Sequence, residues 1–286
     1  MIRFRAERPG VRFAVMPPHD AFLLPDDTEA DCELAVAFGP VAPSPGPARF
    51  DAAGHWELRT RPDGGDEVCF FGRVSGEEPE PMTLLSLAPD LSRGRVVQLP
   101  FYDGGHTFPV GFPLDEYVGG RVLGRAGAVV LHATALLDGD EAIVFAGHSG
   151  AGKSTIAKVA EECGAEVLSD DRTVLTADGR SVRAHGTPWH GSLKRGAARS
   201  APVRALYLLS QSPVDAVEEL SVPAALRELY VRVIQPSVDA AEAEAALDTL
   251  EQVVARVRVA RLHFLPEPSA FALARADSRQ ARAADA

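Results

Sequence analysis

The sequence predicts a strand-rich mixed α/β (α+β) chain of two domains, and three observations support this fold class. Residues 1–112 contain short β-like runs separated by clusters of Pro, Gly and Asp, which indicates a smaller, mainly antiparallel β domain. Residues 113–275 combine further apolar strand-like runs with a few helix-like segments. Within this second region, a glycine-rich motif stands between a strand-like and a helix-like run. Residues 276–286 are rich in Ala, Arg and Asp and are predicted to form a flexible tail, which either frays or continues as an exposed helix.

Length and charge limit the function classes. A chain of 286 residues with 46% hydrophobic residues has ample material for a buried core. The formal net charge of −11 repels nucleic acid over most of the surface, so nucleic acid is excluded as a partner. Any anion must therefore be bound locally, by backbone amides and a few cations.

The cysteines and the apolar runs predict a cytoplasmic protein that has no membrane span. Cys32, Cys69 and Cys163 are far apart, odd in number and without C-x-x-C spacing, so neither a disulfide framework nor a zinc site is expected. The first residues are charged and lack the apolar core of a signal peptide. The longest apolar stretch, residues 126–137, is too short to span a bilayer.

The first domain is predicted as an antiparallel sheet of unknown role. The segment 39–47 contains four prolines, which remove backbone donors, so it is predicted to be a loop. The best strand-like runs are residues 11–15, 55–60, 67–71, 82–87 and 95–99.

The second domain begins with a helix and continues mostly as strands. The helix is predicted over residues 113–125, because a proline opens it, acidic residues occupy its first turn and Arg125 its last. Two later helices are predicted over residues 223–234 and 240–256. Strands are predicted over residues 128–131, 133–137, 141–146, 166–168, 172–176, 181–184, 204–209 and 257–264.

The glycine-rich motif predicts a phosphate-binding loop. Residues 147–154 read Gly-His-Ser-Gly-Ala-Gly-Lys-Ser, the full G-x-x-x-x-G-K-[ST] pattern. Backbone N–H groups of such a loop and the following helix N-terminus bind phosphate oxygens. Lys153 is expected on the β- and γ-phosphates and the Ser154 hydroxyl on Mg²⁺. The predicted nucleotide-binding residues are Gly147, His148, Ser149, Gly150, Ala151, Gly152, Lys153, Ser154 and Thr155.

The alternative for this motif is an ordinary glycine-rich turn between a strand and a helix. Two observations favour the phosphate loop. The flanking strand and helix both fit it, and lysine occurs in the chain only at Lys153, Lys158 and Lys194, so one of few lysines lies where the motif requires it.

Two adjacent carboxylates follow the next strand-like run. Asp170 and Asp171 end an apolar segment that starts at residue 166. One carboxylate of such a pair can bind or orient the metal, and the other can accept the proton of an attacking hydroxyl. The alternative is an acidic turn at a strand end. His132 lies inside an apolar run before the loop, where a histidine is either functional or a satisfied core residue.

With these residues in view, the chain resembles the catalytic domain of bacterial HPr kinase/phosphorylase and its kinase-like relatives, including those of lasso-peptide clusters. The fold is also related to that of ATP-dependent phosphoenolpyruvate carboxykinase. The matching stretches, in order, are residues 131–134 (Leu-His-Ala-Thr), 147–155, 168–175 (Leu-Ser-Asp-Asp-Arg-Thr-Val-Leu) and 186–191 (Gly-Thr-Pro-Trp-His-Gly). The resemblance implies a strand-rich P-loop kinase domain over residues 113–275.

The resemblance also implies roles for these residues. Asp170 would be the general base toward a serine hydroxyl, supported by His132, and Lys153 would complete the catalytic set. Ser154 would hold Mg²⁺, with Asp171 near the metal. ATP and Mg²⁺ are the implied cofactors, and homo-oligomers are implied as well. Residues 186–191 stand where HPr kinases carry a Glu-x-Arg-Gly stretch, and residues 1–112 do not resemble their regulatory domain, so the acceptor stays open.

The sequence therefore predicts an ATP- and Mg-dependent kinase that transfers the γ-phosphoryl group to a serine-type hydroxyl of a protein or peptide. The alternatives are a small-molecule hydroxyl kinase and a nucleotide-binding regulatory ATPase that has no acceptor. The sequence shows no obvious arginine finger or water-positioning Gln, which disfavours a GTPase-like switch.

The acid pair is followed in the sequence by five further candidate residues, and each of them has two interpretations. Thr187, Trp189 and His190 either line the acceptor or nucleotide site or form a packed turn. Lys194 and Arg195 either contact phosphate or are solvated surface charges.

Overall fold

β-strands dominate the computed structural model of the chain, which describes residues 1–284 except 16, 73–77, 101–105, 108–110, 112 and 235–239. The chain divides into two compact units, one of residues 1–16 and 24–122 and the other of residues 17–23 and 123–286. Strands outnumber helices in the described chain, which confirms the strand-rich mixed α/β class.

The first unit contains a seven-stranded sheet in the order β1-β3-β8-β7-β6-β5-β4. The pairs β1–β3 and β3–β8 are parallel and the other neighbours antiparallel. The short strands β2 and β9 pair separately. The strands are β1 (Ile2–Ala6), β2 (Arg12–Phe13), β3 (Cys32–Phe38), β4 (Phe50–Asp51), β5 (Trp56–Thr60), β6 (Asp66–Gly72), β7 (Glu80–Leu87), β8 (Arg93–Gln98) and β9 (His106–Thr107).

Helix α1 (Leu114–Arg125) packs mainly within the first unit. The Tyr117 ring meets Trp56 and Phe70 edge-on, with centroids 5.6 and 6.4 Å away, and Arg121 forms a buried ion pair with Asp66. These contacts explain why the units divide after residue 122. The sequence prediction puts this helix in the second domain, beyond a boundary at residue 112, which itself lies outside the described residues.

The second unit holds the larger sheet and four helices. Its strands are β10 (Ala128–Asp138), β11 (Glu141–Ala146), β12 (Glu166–Ser169), β13 (Arg172–Ala177), β14 (Val182–His185), β15 (Ser200–Gln211), β16 (Ala216–Glu219) and β17 (Arg258–Phe264). Its helices are α2 (Lys153–Glu162), α3 (Val222–Tyr230), α4 (Ala240–Arg256) and α5 (Pro268–Ala284), with a single 3-10 turn at His19–Phe22.

Two long strands organise this sheet. The first half of β10 pairs with β13, and its second half pairs with β11 and β12. Strand β15 pairs with β14 at its start and then runs parallel to both β11 and β17. One apolar core lies between the sheet and helices α3 and α4, and another between the sheet and helices α2 and α5. Strand β11 lies between β10 and β15 in the sheet, and the glycine-rich motif follows its carboxyl end.

Helix α5 includes most of the segment that the sequence predicts as a flexible tail. Residues 276–284 continue the helix. The Tyr207 hydroxyl lies 2.6 Å from Asp277 Oδ2 and 3.0 Å from the Ala274 carbonyl, and Ser278 is fully buried. These contacts order the segment, and the last two residues lie outside the described part of the chain.

Within the described residues, no helix combines the length and the apolar character needed to cross a bilayer.

Candidate functional site

The glycine-rich motif forms the connection between β11 and α2. Gly150 and Gly152 have φ angles of +79° and +102°, which residues with a Cβ rarely adopt. A Cβ on Gly152 would lie 2.5 Å from Cζ of Phe264, and one on Gly147 would lie 2.6 Å from Cβ of Ala151. The backbone path of the loop therefore depends on glycine at these positions.

Lys153 lies over this loop and is 6% exposed. Its ammonium donates hydrogen bonds to the carbonyls of Gly147 at 3.0 Å and His148 at 3.2 Å. Burial lowers the pKa of Lys153, and the opposing effect of the Asp171 charge is smaller. The Lys153 ammonium is therefore a buried cation that donates to two neutral carbonyl oxygens. A bound anion could replace these carbonyls as its hydrogen-bond acceptor.

Two side chains that the sequence reasoning missed also contact the loop. The hydroxyl of Ser154, in the first turn of α2, lies 2.9 Å from that of Ser192. Gln211 Nε2, at the end of β15, donates to the Gly150 carbonyl at 2.9 Å. Ser192 directly follows the last of the four stretches compared above, which was the only signal for it. No local pattern marks Gln211.

The acid pair lies in a turn that hydroxyl groups hold against β10. Ser169 Oγ donates to the Arg172 carbonyl at 2.6 Å, which closes the turn between β12 and β13. Thr134 Oγ1 donates to the Ser169 carbonyl at 2.7 Å, and Thr173 Oγ1 donates to the Ala133 carbonyl at 2.9 Å. The positions of both carboxylates are thus set by β10.

Asp170 points into the protein, where it is 1% exposed. Its Oδ1 accepts a hydrogen bond from the Gly191 N–H at 2.7 Å, and its Oδ2 accepts one from the Leu193 N–H at 2.9 Å. Both carboxylate oxygens are engaged by the same loop. In this arrangement the Asp170 carboxylate holds that loop in place.

Asp171 points the other way and forms a pair with His132. Asp171 Oδ1 lies 3.1 Å from His132 Nε2, and Arg172 forms an ion pair with the same carboxylate. Gly191 packs against it, since a Cβ there would lie 2.9 Å from the Asp171 Cβ. Burial alone would raise the pKa of Asp171, but the His132 hydrogen bond and the charges of Arg172, His132 and Lys153 together lower it.

The five downstream candidates separate into turn and surface residues. Thr187 is buried and donates to the Arg172 carbonyl at 2.7 Å. Trp189 packs against a small apolar cluster on β10 and β13, and His190 is half-exposed. Lys194 is exposed, and Arg195 lies 3.6 Å from Glu161 with its side chain 61% exposed. Thr187 and Trp189 therefore build the turn, and Lys194 and Arg195 are surface charges.

The donor set at the loop fits Mg²⁺, which commonly takes one or two protein oxygens together with phosphate oxygens and water. Ser154, next to Lys153 in the chain, and Asp171, whose charge acts on Lys153, are the oxygen donors here. The described part of the chain contains no group of three or more His, Cys, Asp and Glu side chains arranged to hold a metal on their own. A metal here would therefore depend on a bound phosphate.

Comparison with known proteins gives distant structural similarity alone. No protein-family model matches the chain, and no curated protein matches it either. Among solved structures, the Hpr(Ser) kinase/phosphatase from Coxiella burnetii covers 55% of this chain and 99% of its own, at 10% sequence identity and a TM-score of 0.31.

Proposed function

We propose that the chain is an ATP- and Mg-dependent kinase that transfers the γ-phosphoryl group to a serine-type hydroxyl of a protein or peptide. One observation carries this proposal. A glycine-dependent phosphate loop with a buried lysine lies beside a hydrogen-bonded His132–Asp171 pair, so a site for a phosphate donor and a base for a hydroxyl acceptor are next to each other.

The donor binds through the loop and the start of α2. The loop N–H groups and the positive end of the helix dipole attract the β- and γ-phosphates. The Lys153 ammonium moves from the carbonyls of Gly147 and His148 onto the phosphate oxygens. A buried ammonium forms stronger hydrogen bonds to charged phosphate oxygens than to neutral carbonyl oxygens. Ser154 would hold Mg²⁺, which neutralises phosphate charge when it is bound there.

Asp171 acts on the acceptor. Its carboxylate accepts the hydroxyl proton while the acceptor oxygen bonds to phosphorus, and the bond to the bridging oxygen of the nucleoside diphosphate breaks. His132 orients the carboxylate through the 3.1 Å hydrogen bond. The carboxylate is ionised at neutral pH, as a base must be before it accepts a proton, and the His132 hydrogen bond and the nearby cations that lower its pKa stabilise this form.

Asp170 is a positioning residue in this proposal. It holds the N–H groups of Gly191 and Leu193, and Gly191 in turn packs against Asp171. The general base is therefore moved one residue along the chain from the position that the resemblance implies.

A labelled-phosphate assay tests the function. The full chain is incubated with γ-labelled ATP, Mg²⁺ and a panel of serine-containing peptides and small hydroxyl compounds. Labelled acceptor and free phosphate are measured separately. The proposal expects a labelled peptide or protein. Label on a small molecule would support the small-molecule kinase instead, and free phosphate alone would support the regulatory ATPase.

Matched variants test the assignment of residues. Lys153→Met is expected to abolish transfer, whereas Lys158→Met, on the exposed side of the same helix, is expected to leave transfer unchanged. Asp171→Asn is expected to lower the rate of transfer by about 10²–10⁴-fold while ADP still binds through the loop, because an amide cannot accept the hydroxyl proton. Full transfer by a folded Asp171→Asn protein would contradict the assignment.

A further inference from the structure

Arg172 and His132 lie on two paired strands, and Arg232 lies in the turn that borders His132 on the other side. His132 on β10 is the register partner of Arg172 on β13. On the other edge of β10, Leu131 forms an antiparallel bridge with Val233, and the His132 N–H donates to the Arg232 carbonyl at 2.9 Å. The same register places Arg232 opposite His132. Directly opposed residues of paired strands project from the same face of the sheet, so Arg172 projects from the same face as His132. The turn that carries Arg232 lies along the other edge of β10.

These residues lie beside the phosphate loop. The His132 carbonyl accepts a hydrogen bond from the N–H of Gly147, the first loop residue, at 3.2 Å. Burial is the main cause of the lowered pKa of Lys153, and the charges of Arg172 and Arg232 lower it further. Arg232 is thus within electrostatic reach of the loop lysine, although it lies far from that lysine in the sequence.

The Arg232 guanidinium is nearly buried and only partly hydrogen-bonded. Its side chain is 12% exposed, and Nη1 donates to the backbone carbonyl of Glu228 and, at 2.9 Å, to its carboxylate. Within the described chain, its Nε has no hydrogen-bond partner. The Glu228 carboxylate is shared with Arg261, whose Nη2 lies 3.5 Å away.

Three cations, Lys153, Arg172 and Arg232, lie close together at this point. The Glu228 carboxylate that pairs with Arg232 also pairs with Arg261. Clustered cations in a partly buried place repel one another, and a multivalent anion relieves that repulsion. A phosphate group suits the planar, multi-donor guanidinium particularly well.

We infer that Arg232 is a phosphate-binding residue, which contacts the terminal phosphoryl group of a bound nucleoside triphosphate from the side opposite the loop. It would supply in cis the cation for which the sequence shows no obvious candidate. This inference rests on the proposed function for the identity of the nucleotide. It adds a subsite that distinguishes a triphosphate from a diphosphate.

The test compares the affinities of ADP and a non-hydrolysable β,γ-imido analogue of ATP by calorimetry, with Mg²⁺ present. The proteins are the unmodified full chain, Arg232→Gln, Arg232→Lys and Arg227→Gln. Arg227 is the matched control because it lies exposed on helix α3, which ends two residues before Arg232. Thermal melting checks that each variant is folded.

We expect the unmodified chain and Arg227→Gln to bind the triphosphate analogue about 10-fold more tightly than ADP, as one charge-assisted contact would provide. Arg232→Gln should lose this preference without weakening ADP binding. Arg232→Lys should be intermediate, because the ammonium keeps the charge but not the planar donors. In the transfer assay, Arg232→Gln should lower the turnover rate by about 10³-fold or more.

Each contrary outcome has a distinct meaning. An unchanged triphosphate-to-diphosphate ratio in folded Arg232→Gln, or no preference in the unmodified chain, would overturn the inference while the proposed function stands. If the unmodified chain binds neither nucleotide, the proposed function fails as well. A further arm measures phosphoserine binding in the presence of ADP. If Arg232→Gln weakens only that binding, the phosphate belongs to the acceptor, and the inference is also overturned.

Discussion

Replacing Asp170 tests directly whether this carboxylate anchors a loop. Asp170→Ala removes the two acceptors that hold the Gly191 and Leu193 N–H groups, at 2.7 and 2.9 Å, in a position that is 1% exposed. A hydrogen bond to a charged group contributes about 1.5–3 kcal/mol, so both together contribute about 3–6 kcal/mol if the loop stays closed. Asp170→Asn keeps one acceptor and should cost about half as much. If the loop opens to water, the free energy of unfolding falls by less, but the Gly191 and Leu193 amides lose their protection from hydrogen exchange.

The assay has two parts. Urea denaturation gives the change in the free energy of unfolding, and hydrogen exchange reports the protection of the amides at residues 191 and 193. Asp178→Ala is a matched control, because Asp178 also accepts two backbone N–H bonds, from Arg180 at 2.9 Å and Ser181 at 2.8 Å, but lies exposed in a turn. We expect a clearly smaller loss of stability for the control and no change in the exchange of residues 191 and 193.

The reasoning would be refuted if Asp170→Ala left both amides protected and the free energy of unfolding unchanged. Asp170 would then not hold the loop, and its role as the general base would again be the better assignment. A loss of stability equal to that of Asp178→Ala would equally contradict the idea that burial makes this carboxylate important.

Three further predictions follow from the same unit. Gly152→Ala should lower the free energy of unfolding by about 1–3 kcal/mol and abolish ADP binding. The reason is that Gly152 has a φ of +102° and no room for a Cβ. Thermal melting and titration with ADP measure the two effects. The pKa of Asp171 is lowered on folding, so its stabilising effect is complete above the unfolded value of about 3.9 and is lost as the pH falls through the folded value. Urea unfolding between about pH 3 and 5 should therefore show a steeper acid loss for the unmodified chain than for Asp171→Asn. Deleting residues 276–286 should lower the melting temperature, because the buried Tyr207 hydroxyl loses its 2.6 Å partner at a cost of about 1–3 kcal/mol. An unchanged melting temperature would show that this segment contributes nothing to the unit.

Local sequence patterns were sufficient to predict the glycine-rich loop and most of the elements around it. The loop is contiguous, its glycines are required by the backbone itself, and the strand before it and the helix after it are signalled by residues 141–163. Helix α4 and strands β11, β13 and β17 lie within a residue or so of their predicted bounds. Strands β1 and β3 were missed, because their short alternating patterns become strands only through pairing with each other and with β8.

The tertiary structure alone decided how the site residues are arranged. Asp170 and Asp171 are adjacent in sequence, so no local pattern tells which one faces Lys153. The buried Asp170 carboxylate accepts hydrogen bonds from the N–H groups of residues 191 and 193. The Asp171 carboxylate pairs with His132 and stays partly exposed.

The same reason applies to Arg232 and to helix α1. Arg232 reaches His132 only because the chain after α3 returns to the edge of β10, and α1 joins the first unit only through side chains such as Tyr117 and Arg121. The sequence by itself determined the glycine-rich loop between β11 and α2 and the acid pair after the next strand, because backbone conformation and short-range spacing are local properties. Which side chains meet at that loop depends on contacts between segments that are distant in sequence, and these exist only in the folded protein.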